Sequence, residues 1–239
     1  MAATERPAMP DVYNATLTEP DPKTPQVSTE QVRQLLADGS AILLDSRKRA
    51  EFDAGHIAGA RNVAPPPGTA PEEYVAAIER FVGGNKSQPL VVYCNGQYCR
   101  QGRQLSAQLV ESGFSNVRRY QLGIPVWRAL GLPVEIELEG IVRIFGVDRT
   151  VVYFDARSPQ EFAKGSIAGA HNVPADEAAT AGLGQAPMPR NDFNTRIVIF
   201  GRDGAQARKL ADVIGATPFQ NVSYFAGTFE TLAAAIKNR

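Results

Sequence analysis

The sequence lacks a surplus of charge of either sign and any long apolar run. Its 25 basic and 25 acidic side chains cancel, so no electrostatic argument favours nucleic acid or an anionic membrane as a partner. The longest aliphatic stretches are short, as at 41–44, whereas a membrane span needs about 20 apolar residues. The first 25 residues hold no apolar segment of a secretory signal. We therefore favour the cytoplasm, with the periplasm as the alternative if a signal was removed before residue 1.

Cysteine is also scarce, since the 239 residues contain only Cys94 and Cys99. Two cysteines in one short segment cannot staple a secreted scaffold, so they are better candidates for chemistry. Apolar residues make up 44% of the chain and charged residues 21%, a composition typical of a globular protein rather than a disordered one. A chain of this length forms one or two domains, each able to bury its own core.

An internal repeat organises the chain. Residues 43–63 read LLDSRKRAEFDAGHIAGARNV and residues 153–173 read YFDARSPQEFAKGSIAGAHNV, with 11 identities in 21 positions at an offset of 110. A period this long indicates two copies of a whole domain rather than a solenoid of short repeats. We predict a proline-rich extended arm at 1–25, a first domain at 26–135 that is catalytic, and a second domain at 136–239.

Each copy alternates short apolar strands with amphipathic helices. In the first copy the pattern predicts strands at 41–45, 61–63, 90–93 and 117–120, and helices at 29–38, 71–82, 101–112 and 124–130. In the second copy it predicts strands at 151–155 and 197–200, a helix at 205–214, and a Pro/Gly/Ala-rich surface loop at 174–194. The alternation predicts an α/β fold, with a mainly parallel sheet flanked by helices in each domain.

The segment around Cys94 carries the strongest indication of chemistry. The apolar strand 90–93 runs into Cys94 and a helix opens a few residues later, so Cys94 lies where open α/β sheets place their sites. The chain between must curl tightly, which Gly96 permits, and the N–H groups of such a curl point inward and bind anions. The helix N-terminus adds positive charge, as do Arg100 and Arg103, and this environment lowers the pKa of a thiol.

We therefore predict that Cys94 is a nucleophile and that the loop after it holds an anionic substrate. The predicted substrate-binding residues are Asn95, Gly96, Gln97, Tyr98, Cys99 and Arg100. The competing interpretation is that Cys94 is a small apolar residue that ends a strand. Cys99 is either a resolving thiol or a small residue in the loop wall. We expect the two thiols to be unbridged at rest, because side chains of a loop curled around an anion usually point outward.

Several spaced motifs, in order, resemble the rhodanese sulfurtransferases. They are Asp45-Ser46-Arg47, Glu51-Phe52, Gly55-His56-Ile57-Ala58-Gly59-Ala60, Asn62-Val63, Val91-Val92-Tyr93-Cys94, and Gly123 with Trp127, Gly131 and Pro133. They span nearly all of the first copy. The resemblance implies that Cys94 takes a sulfane sulfur from a donor, becomes a persulfide, and passes the sulfur to an acceptor thiol or cyanide. It implies no metal and no organic cofactor.

Two departures from the family pattern keep other functions open. The second copy has Phe200-Gly201-Arg202-Asp203-Gly204 in place of the cysteine loop, so it resembles an inactive partner domain. The best-known tandem members have the reverse order, with the active cysteine in the C-terminal domain. In addition, Arg100 follows Cys94 by six positions, the spacing of related phosphatases and arsenate reductases that hold a tetrahedral oxyanion. The remaining alternative is non-enzymatic: a sulfur carrier or binding module that docks a partner protein.

Four further residues are candidates for a supporting role around the site: Arg103, Asp45, Arg47 and Trp127. The Asp45 and Arg47 pair recurs as Asp155 and Arg157 in the copy without a cysteine, which favours a structural ion pair over catalysis. Trp127 is expected to pack its helix against the core at the border of the site. The leading prediction is a thiosulfate sulfurtransferase-like enzyme with a small anionic donor and a thiol acceptor, which could be a protein. Nucleic acid and membrane are not expected as partners.

Overall fold

The computed structural model describes residues 23–66, 68–184, 186–190 and 192–237. Most of the predicted arm at 1–25 therefore lies outside the described residues. Its last residues extend the edge of the first sheet, where the Arg119 N–H donates to the Pro25 carbonyl at 2.9 Å and the Val27 N–H donates to the Arg119 carbonyl at 3.0 Å.

Strands and helices alternate along both copies, as the apolar pattern predicts. The first copy contains α1 (Thr29–Ala37), β1 (Ile42–Asp45), α2 (Arg49–Asp53), β2 (Arg61–Asn62), α3 (Pro71–Phe81), β3 (Leu90–Tyr93), α4 (Arg100–Glu111), β4 (Val117–Tyr120) and α5 (Gly123–Ala129). The rest of the chain contains β5 (Val134–Ile136), α6 (Leu138–Ile144), β6 (Val152–Asp155), α7 (Pro159–Ala163), β7 (Ala170–Asn172), α8 (Ala175–Ala181), β8 (Ile197–Phe200), α9 (Gly204–Gly215), β9 (Val222–Phe225) and α10 (Phe229–Lys237).

The strands form two wholly parallel sheets, ordered β2-β1-β3-β4 and β5-β9-β8-β6-β7. The central strand β3 is buried on both faces, because its alternate side chains point to opposite sides of the sheet. Val91 and Tyr93 pack in one apolar cluster, and Leu90 and Val92 pack in another across the sheet. The predicted α/β class, with helices covering a parallel sheet in each copy, is confirmed.

The apolar pattern did not predict strand β5, which connects the two copies. β5 pairs with β9 in the second sheet, and its Glu135 also forms an isolated antiparallel bridge with His56 of the first copy. The limit predicted between residues 135 and 136 falls inside this strand. The domain limits themselves stay a prediction.

The two copies meet along a close interface. The backbones of Gly131 and Gly215 approach so tightly that a Cβ on either glycine would collide with the carbonyl of the other. The Arg128 Nη1 donates to the Asn221 Oδ1 at 2.9 Å, and the Arg143 Nη1 donates to the Ala50 carbonyl at 3.1 Å. Contacts through backbone and side chain together fix how the copies face each other.

The prediction of a surface loop at 174–194 is wrong for its first part, which folds as α8. Ala175 and Ala178 are buried in the second core, because helix α8 packs directly against α9. The alanines counted toward a surface loop instead allow this close helix packing. Within the described ranges no helix is long and apolar enough to cross a membrane, since the longest, α4 and α9, have 12 residues each.

Candidate active site

Cys94 directly follows β3, at the carboxyl end of the central strand of the first sheet. Its side chain is 4% exposed. Helix α4 passes close by, since a Cβ added to Gly102 would lie 3.2 Å from the Cys94 Cβ. On the other side, the Ser46 hydroxyl donates to the Tyr93 carbonyl at 2.9 Å and the Ser46 N–H donates to the same oxygen at 3.1 Å. The cysteine thus sits in a fixed, largely dry position.

A tight turn shapes the loop that follows. Gly96 has a φ of +98°, and the Cys99 N–H donates to the Gly96 carbonyl at 3.0 Å. The start of α5 supports the loop from behind, where the Ile124 N–H donates to the Cys94 carbonyl at 3.1 Å. Gly123 has a φ of +63°, and a Cβ there would collide with the Cys94 carbonyl and the Gly96 nitrogen. Two glycines therefore set the loop's path.

The structure contradicts the expectation that the two thiols are unbridged, because Cys94 and Cys99 form a disulfide. Their Cα atoms are 6.2 Å apart, within the range of about 4.4–6.8 Å that a disulfide needs. The physical reason is the turn at Gly96, which folds the chain back and brings the loop's two ends together. Cys99 therefore faces Cys94 rather than the loop wall.

The other predicted loop residues have distinct surroundings. The Asn95 amide donates to the Glu51 carboxylate at 2.6 Å, and the Gln97 carbonyl lies 3.5 Å from the Arg119 Nη2. Tyr98 is 93% exposed, so this aromatic ring stands out from the loop into solvent. Which of these residues touch substrate stays a prediction.

Arg100 and Arg103 are exposed at the first turn of α4. Neither side chain makes an ion pair with any residue that the structure describes. Both guanidinium groups are therefore available to an anion near the loop.

The N-termini of the two equivalent helices differ. In the first copy, α4 begins after Cys99, whose side chain makes no capping hydrogen bond. In the second copy, α9 begins after Asp203, whose carboxylate accepts from the Gln206 N–H at 2.9 Å. A carboxylate at this position occupies the anion-binding end of the helix and repels an incoming anion. The second copy has no cysteine in its sequence, and its capped helix α9 offers no free N-terminus to an anion.

A cleft of about 510 Å³ opens between the two copies beside the cysteine loop. Its lining includes Asn95, Ile124, Pro125, Glu51, Arg47 and Arg128 from the first copy, and Asn194, Arg196, Gln220 and Asn221 from the second. Three of these residues are arginines and one is a carboxylate. Sequence reasoning did not identify which residues the second copy contributes, because no local motif marks residues that only the domain interface brings together.

Arg128 is the least compensated of these arginines. Burial and the nearby positive charges of Arg47 and Arg196 lower the pKa of Arg128 to about 10. Its Nε is buried without a hydrogen-bond partner, and the guanidinium makes no ion pair within the described part of the chain. By contrast, Arg47 pairs with Asp45 and Arg196 pairs with Asp148 at 3.3 Å. A half-buried cation without an ion-pair partner, at the wall of a cleft, attracts an anionic ligand.

The buried pair of Asp45 and Arg47 ties down the end of β1. Arg47 also donates to the Gly55 carbonyl at 2.8 Å, and the Asn62 amide donates to the Arg47 carbonyl at 2.7 Å. The second copy repeats the network. There Arg157 pairs with Asp155 and donates to the Gly165 carbonyl at 2.8 Å, and the Asn172 amide donates to the Arg157 carbonyl at 2.8 Å. The repetition without a cysteine agrees with a structural role for the pair.

Trp127 lies in the core of the first copy and is 5% exposed. Its indole N–H donates to the Pro133 carbonyl at 3.2 Å, and its ring packs edge-on against Tyr120. These contacts anchor α5, whose first residues support the cysteine loop.

Comparison with known proteins identifies both copies. A family model described as the rhodanese-like domain matches residues 28–130 and again residues 146–235. The chain belongs to the rhodanese-like family. Its two halves are therefore tandem rhodanese-like domains, as the resemblance in the sequence implied.

Individual relatives cover this rhodanese-like chain to different extents. The thiosulfate sulfurtransferase GlpE of Pseudomonas aeruginosa is 29% identical over 105 residues, which are 44% of this chain and 84% of that protein. The HTH-type transcriptional regulator Rv0324 of Mycobacterium tuberculosis is 31% identical over 97 residues, and the match spans 41% of this chain but only 38% of the regulator. The crystal structure of the 3-mercaptopyruvate sulfotransferase SseA of Escherichia coli is 18% identical, with a TM-score of 0.40, and the match covers 86% of this chain and 99% of SseA. The relatives found by sequence thus include a thiosulfate sulfurtransferase.

Proposed function

We propose that the chain is a sulfurtransferase in which reduced Cys94 takes the sulfane sulfur of a small anionic donor such as thiosulfate. The observation that carries the proposal is the position of Cys94, buried at the carboxyl end of the central strand in the rhodanese-like copy whose loop contains a cysteine. The N-terminus of α4 lies beside it, and the positive end of a helix favours the thiolate over the thiol. A thiolate in that position is a nucleophile.

The reaction has two displacement steps. The Cys94 thiolate attacks the outer sulfur of thiosulfate, the S–S bond of the donor breaks, and its electron pair leaves on sulfite. The product is a persulfide anion on Cys94. An acceptor thiolate or cyanide then attacks the outer sulfur of that persulfide, which returns Cys94 to the thiolate and carries the sulfur away.

The cleft between the domains supports an anionic donor. Arg128 supplies a half-buried positive charge, and Asn95 lines the same cleft next to Cys94. Amide groups from Asn194 and Asn221 of the second domain line the opposite side. A sulfonate-like group can bind between these donors while its sulfane sulfur points to the loop. In this proposal the domain without a cysteine completes the donor site.

The disulfide supports a role for Cys99 as the resolving cysteine. A bridged Cys94 cannot accept sulfur, so a thiol reductant must open the bridge before turnover. After sulfur transfer, the Cys99 thiolate can attack the inner sulfur of the persulfide and form the disulfide again. The outer sulfur gains two electrons from the two cysteines and leaves as hydrosulfide with one proton. A dithiol reductant then restores both thiolates.

A second candidate function is reduction of an oxyanion such as arsenate. The disulfide favours it, because a thiol pair that can bridge supplies the two electrons of such a reduction. The six-residue interval from Cys94 to Arg100 gives a loop long enough for a tetrahedral anion. Phosphatase activity requires no second cysteine and gains no support from the bridge.

The test compares activities of the full chain after reduction. Thiosulfate with cyanide measures transfer through Cys94 alone, and thiosulfate with a dithiol measures release of hydrosulfide. Arsenate with a dithiol, and an aryl phosphate, measure the alternatives. We expect both sulfur reactions, with Cys94→Ser inactive in each and Cys99→Ser active with cyanide but defective in hydrosulfide release.

Two outcomes would contradict the proposal. Arsenate turnover without thiosulfate turnover would make the oxyanion reductase the better account. If Cys99→Ser releases hydrosulfide as fast as the unaltered chain, Cys99 has no resolving role and the disulfide lies off the reaction path. Loss of every activity in both serine variants with an altered circular dichroism spectrum would prompt Cys94→Ala, which the buried site accommodates without adding a hydroxyl group.

A further inference from the structure

A cluster of three side chains lies where β5 meets the first domain. His56 and Glu135 are paired in an antiparallel bridge, in which the His56 N–H donates to the Glu135 carbonyl at 2.9 Å and the Glu135 N–H donates to the His56 carbonyl at 2.8 Å. Side chains of directly opposed residues lie on the same face, with Cβ atoms about 4.5–5.5 Å apart. Glu137 directly follows β5 with extended backbone, so it shares the face of Glu135 two residues earlier, while Val134 and Ile136 are buried on the other face.

The ligand atoms of these three residues converge. One atom each from His56, Glu135 and Glu137 lie within 4.8 Å of one another. Backbone hydrogen bonds, rather than contacts among the side chains, bring these residues together. The fold itself therefore holds the cluster in place.

The imidazole of His56 is oriented for a ligand. Its side chain is 3% exposed, and its Nδ1 lies 3.1 Å from the Phe52 carbonyl, so the proton is assigned to Nδ1. The Phe52 ring stacks on the imidazole at 3.7 Å and fixes its plane. The Nε2 lone pair therefore points to the carboxylates, yet the Glu137 oxygen is 3.9 Å away, too far for a hydrogen bond. A buried imidazole whose Nδ1 is held by a backbone carbonyl, and whose Nε2 faces two carboxylates at a pocket, has the arrangement of a metal-ligating histidine.

We propose that His56, Glu135 and Glu137 form a binding site for one first-row divalent metal ion, with Zn²⁺ as the ion of choice. One imidazole nitrogen and two carboxylates suit Zn²⁺ and its neighbours, whereas Ca²⁺ and Mg²⁺ prefer oxygen ligands alone. The two carboxylate charges balance the charge of the ion. A pocket of about 630 Å³ opens in front of the cluster and gives the ion an entry path and room for water. The site goes beyond the sulfur chemistry and departs from the expectation of no metal.

Among the described residues, no lysine or arginine forms an ion pair with either carboxylate of the cluster. Arg49 lines the same pocket, but its Nε donates to the Asp53 carboxylate at 2.6 Å. Arg143 also faces Asp53, at 3.6 Å. An ion at the cluster would join the first domain to β5 and so pin the strand that enters the second sheet.

The test uses the full chain with its disulfide intact, so that no free thiolate competes for metal. After treatment with a chelator and its removal, Zn²⁺ is titrated by calorimetry, and Co²⁺ is titrated by visible absorption. We expect saturation at one ion per chain, d–d bands for Co²⁺, and a higher melting temperature with Zn²⁺. Glu137→Gln should weaken binding at least about tenfold.

Two matched controls separate this site from casual binding. Glu139→Gln removes the same charge two residues along the chain, and His171→Gln removes the other histidine, which is exposed. Both should bind Zn²⁺ as the unaltered chain does. Absence of saturable binding, binding lost on His171→Gln, or binding that survives both Glu135→Gln and Glu137→Gln would overturn the proposal. Circular dichroism in the presence of chelator checks that each variant is folded. If one of the two variants Glu135→Gln and Glu137→Gln does not fold, the other alone serves as the test.

Discussion

Gly123 offers a sharp test of how the loop is held, because alanine there adds one methyl group directly against it. The φ of +63° costs an L-residue about 1–2 kcal/mol. The new Cβ would also overlap the Cys94 carbonyl and the Gly96 nitrogen, and overpacking of this kind costs about 1–3 kcal/mol more. We expect Gly123→Ala to lower the free energy of unfolding by about 2–5 kcal/mol. Because the loop must shift to relieve the overlap, we also expect kcat/KM for thiosulfate and cyanide to fall about 100-fold.

Gly39 provides the matched control. Its φ of +65° imposes the same backbone strain, but a Cβ there has nothing within 4 Å. Gly39→Ala should lose only the strain term and keep full activity. Urea denaturation gives both free energies of unfolding, and initial rates give both activities. Equal stability losses in the two variants, with full activity in Gly123→Ala, would refute the account of the loop.

Three further predictions concern charge and domain structure. Arg128→Met should raise KM for thiosulfate about tenfold and lower the free energy of unfolding by no more than about 1.5 kcal/mol, because it loses the hydrogen bond to Asn221 but no longer desolvates a charge. Exposed Arg33→Met should change neither quantity. Steady-state rates and urea denaturation measure both, and an unchanged KM would remove Arg128 from the donor site. Asp45→Asn and Asp155→Asn should each lower the free energy of unfolding by about 3–5 kcal/mol in urea denaturation, since each leaves a buried arginine unpaired. If Asp45→Asn instead loses activity at unchanged stability, the pair acts in catalysis. A fragment of residues 1–135 should be less soluble and less active than the full chain, because the truncation cuts β5 and removes one wall of the cleft. A stable fragment with the kcat/KM of the full chain would show that the second domain is dispensable.

The regular parts of the fold follow from short-range pattern. Strand β3 is predicted to the residue because four apolar side chains in a row suit a strand buried on both faces. The helix predicted at 29–38 begins after Ser28, where the structure shows both hydrogen bonds of a capping box. The repeat predicts the tandem arrangement, because the same strand and turn require the same residues twice.

The features that sequence reasoning missed depend on contacts between distant segments. β5 alternates apolar and acidic residues over only three positions, too few for a recognisable period. It forms because its backbone pairs with β9 and with His56. The disulfide depends on how far one glycine folds the loop back, which spacing alone does not determine. The cleft between the two copies is lined by residues from both domains, and no motif within either domain predicts which residues come together there.

Formation of a persulfide on Cys94 tests the central claim most directly. The full chain is reduced, freed of reductant, treated with thiosulfate, blocked with an alkylating agent, and analysed by peptide mass spectrometry. The account predicts one additional sulfur atom on Cys94, absent from Cys94→Ser and longer-lived in Cys99→Ser than in the unaltered chain. Additional sulfur on Cys99 alone, or on neither cysteine while the protein remains folded, would contradict it.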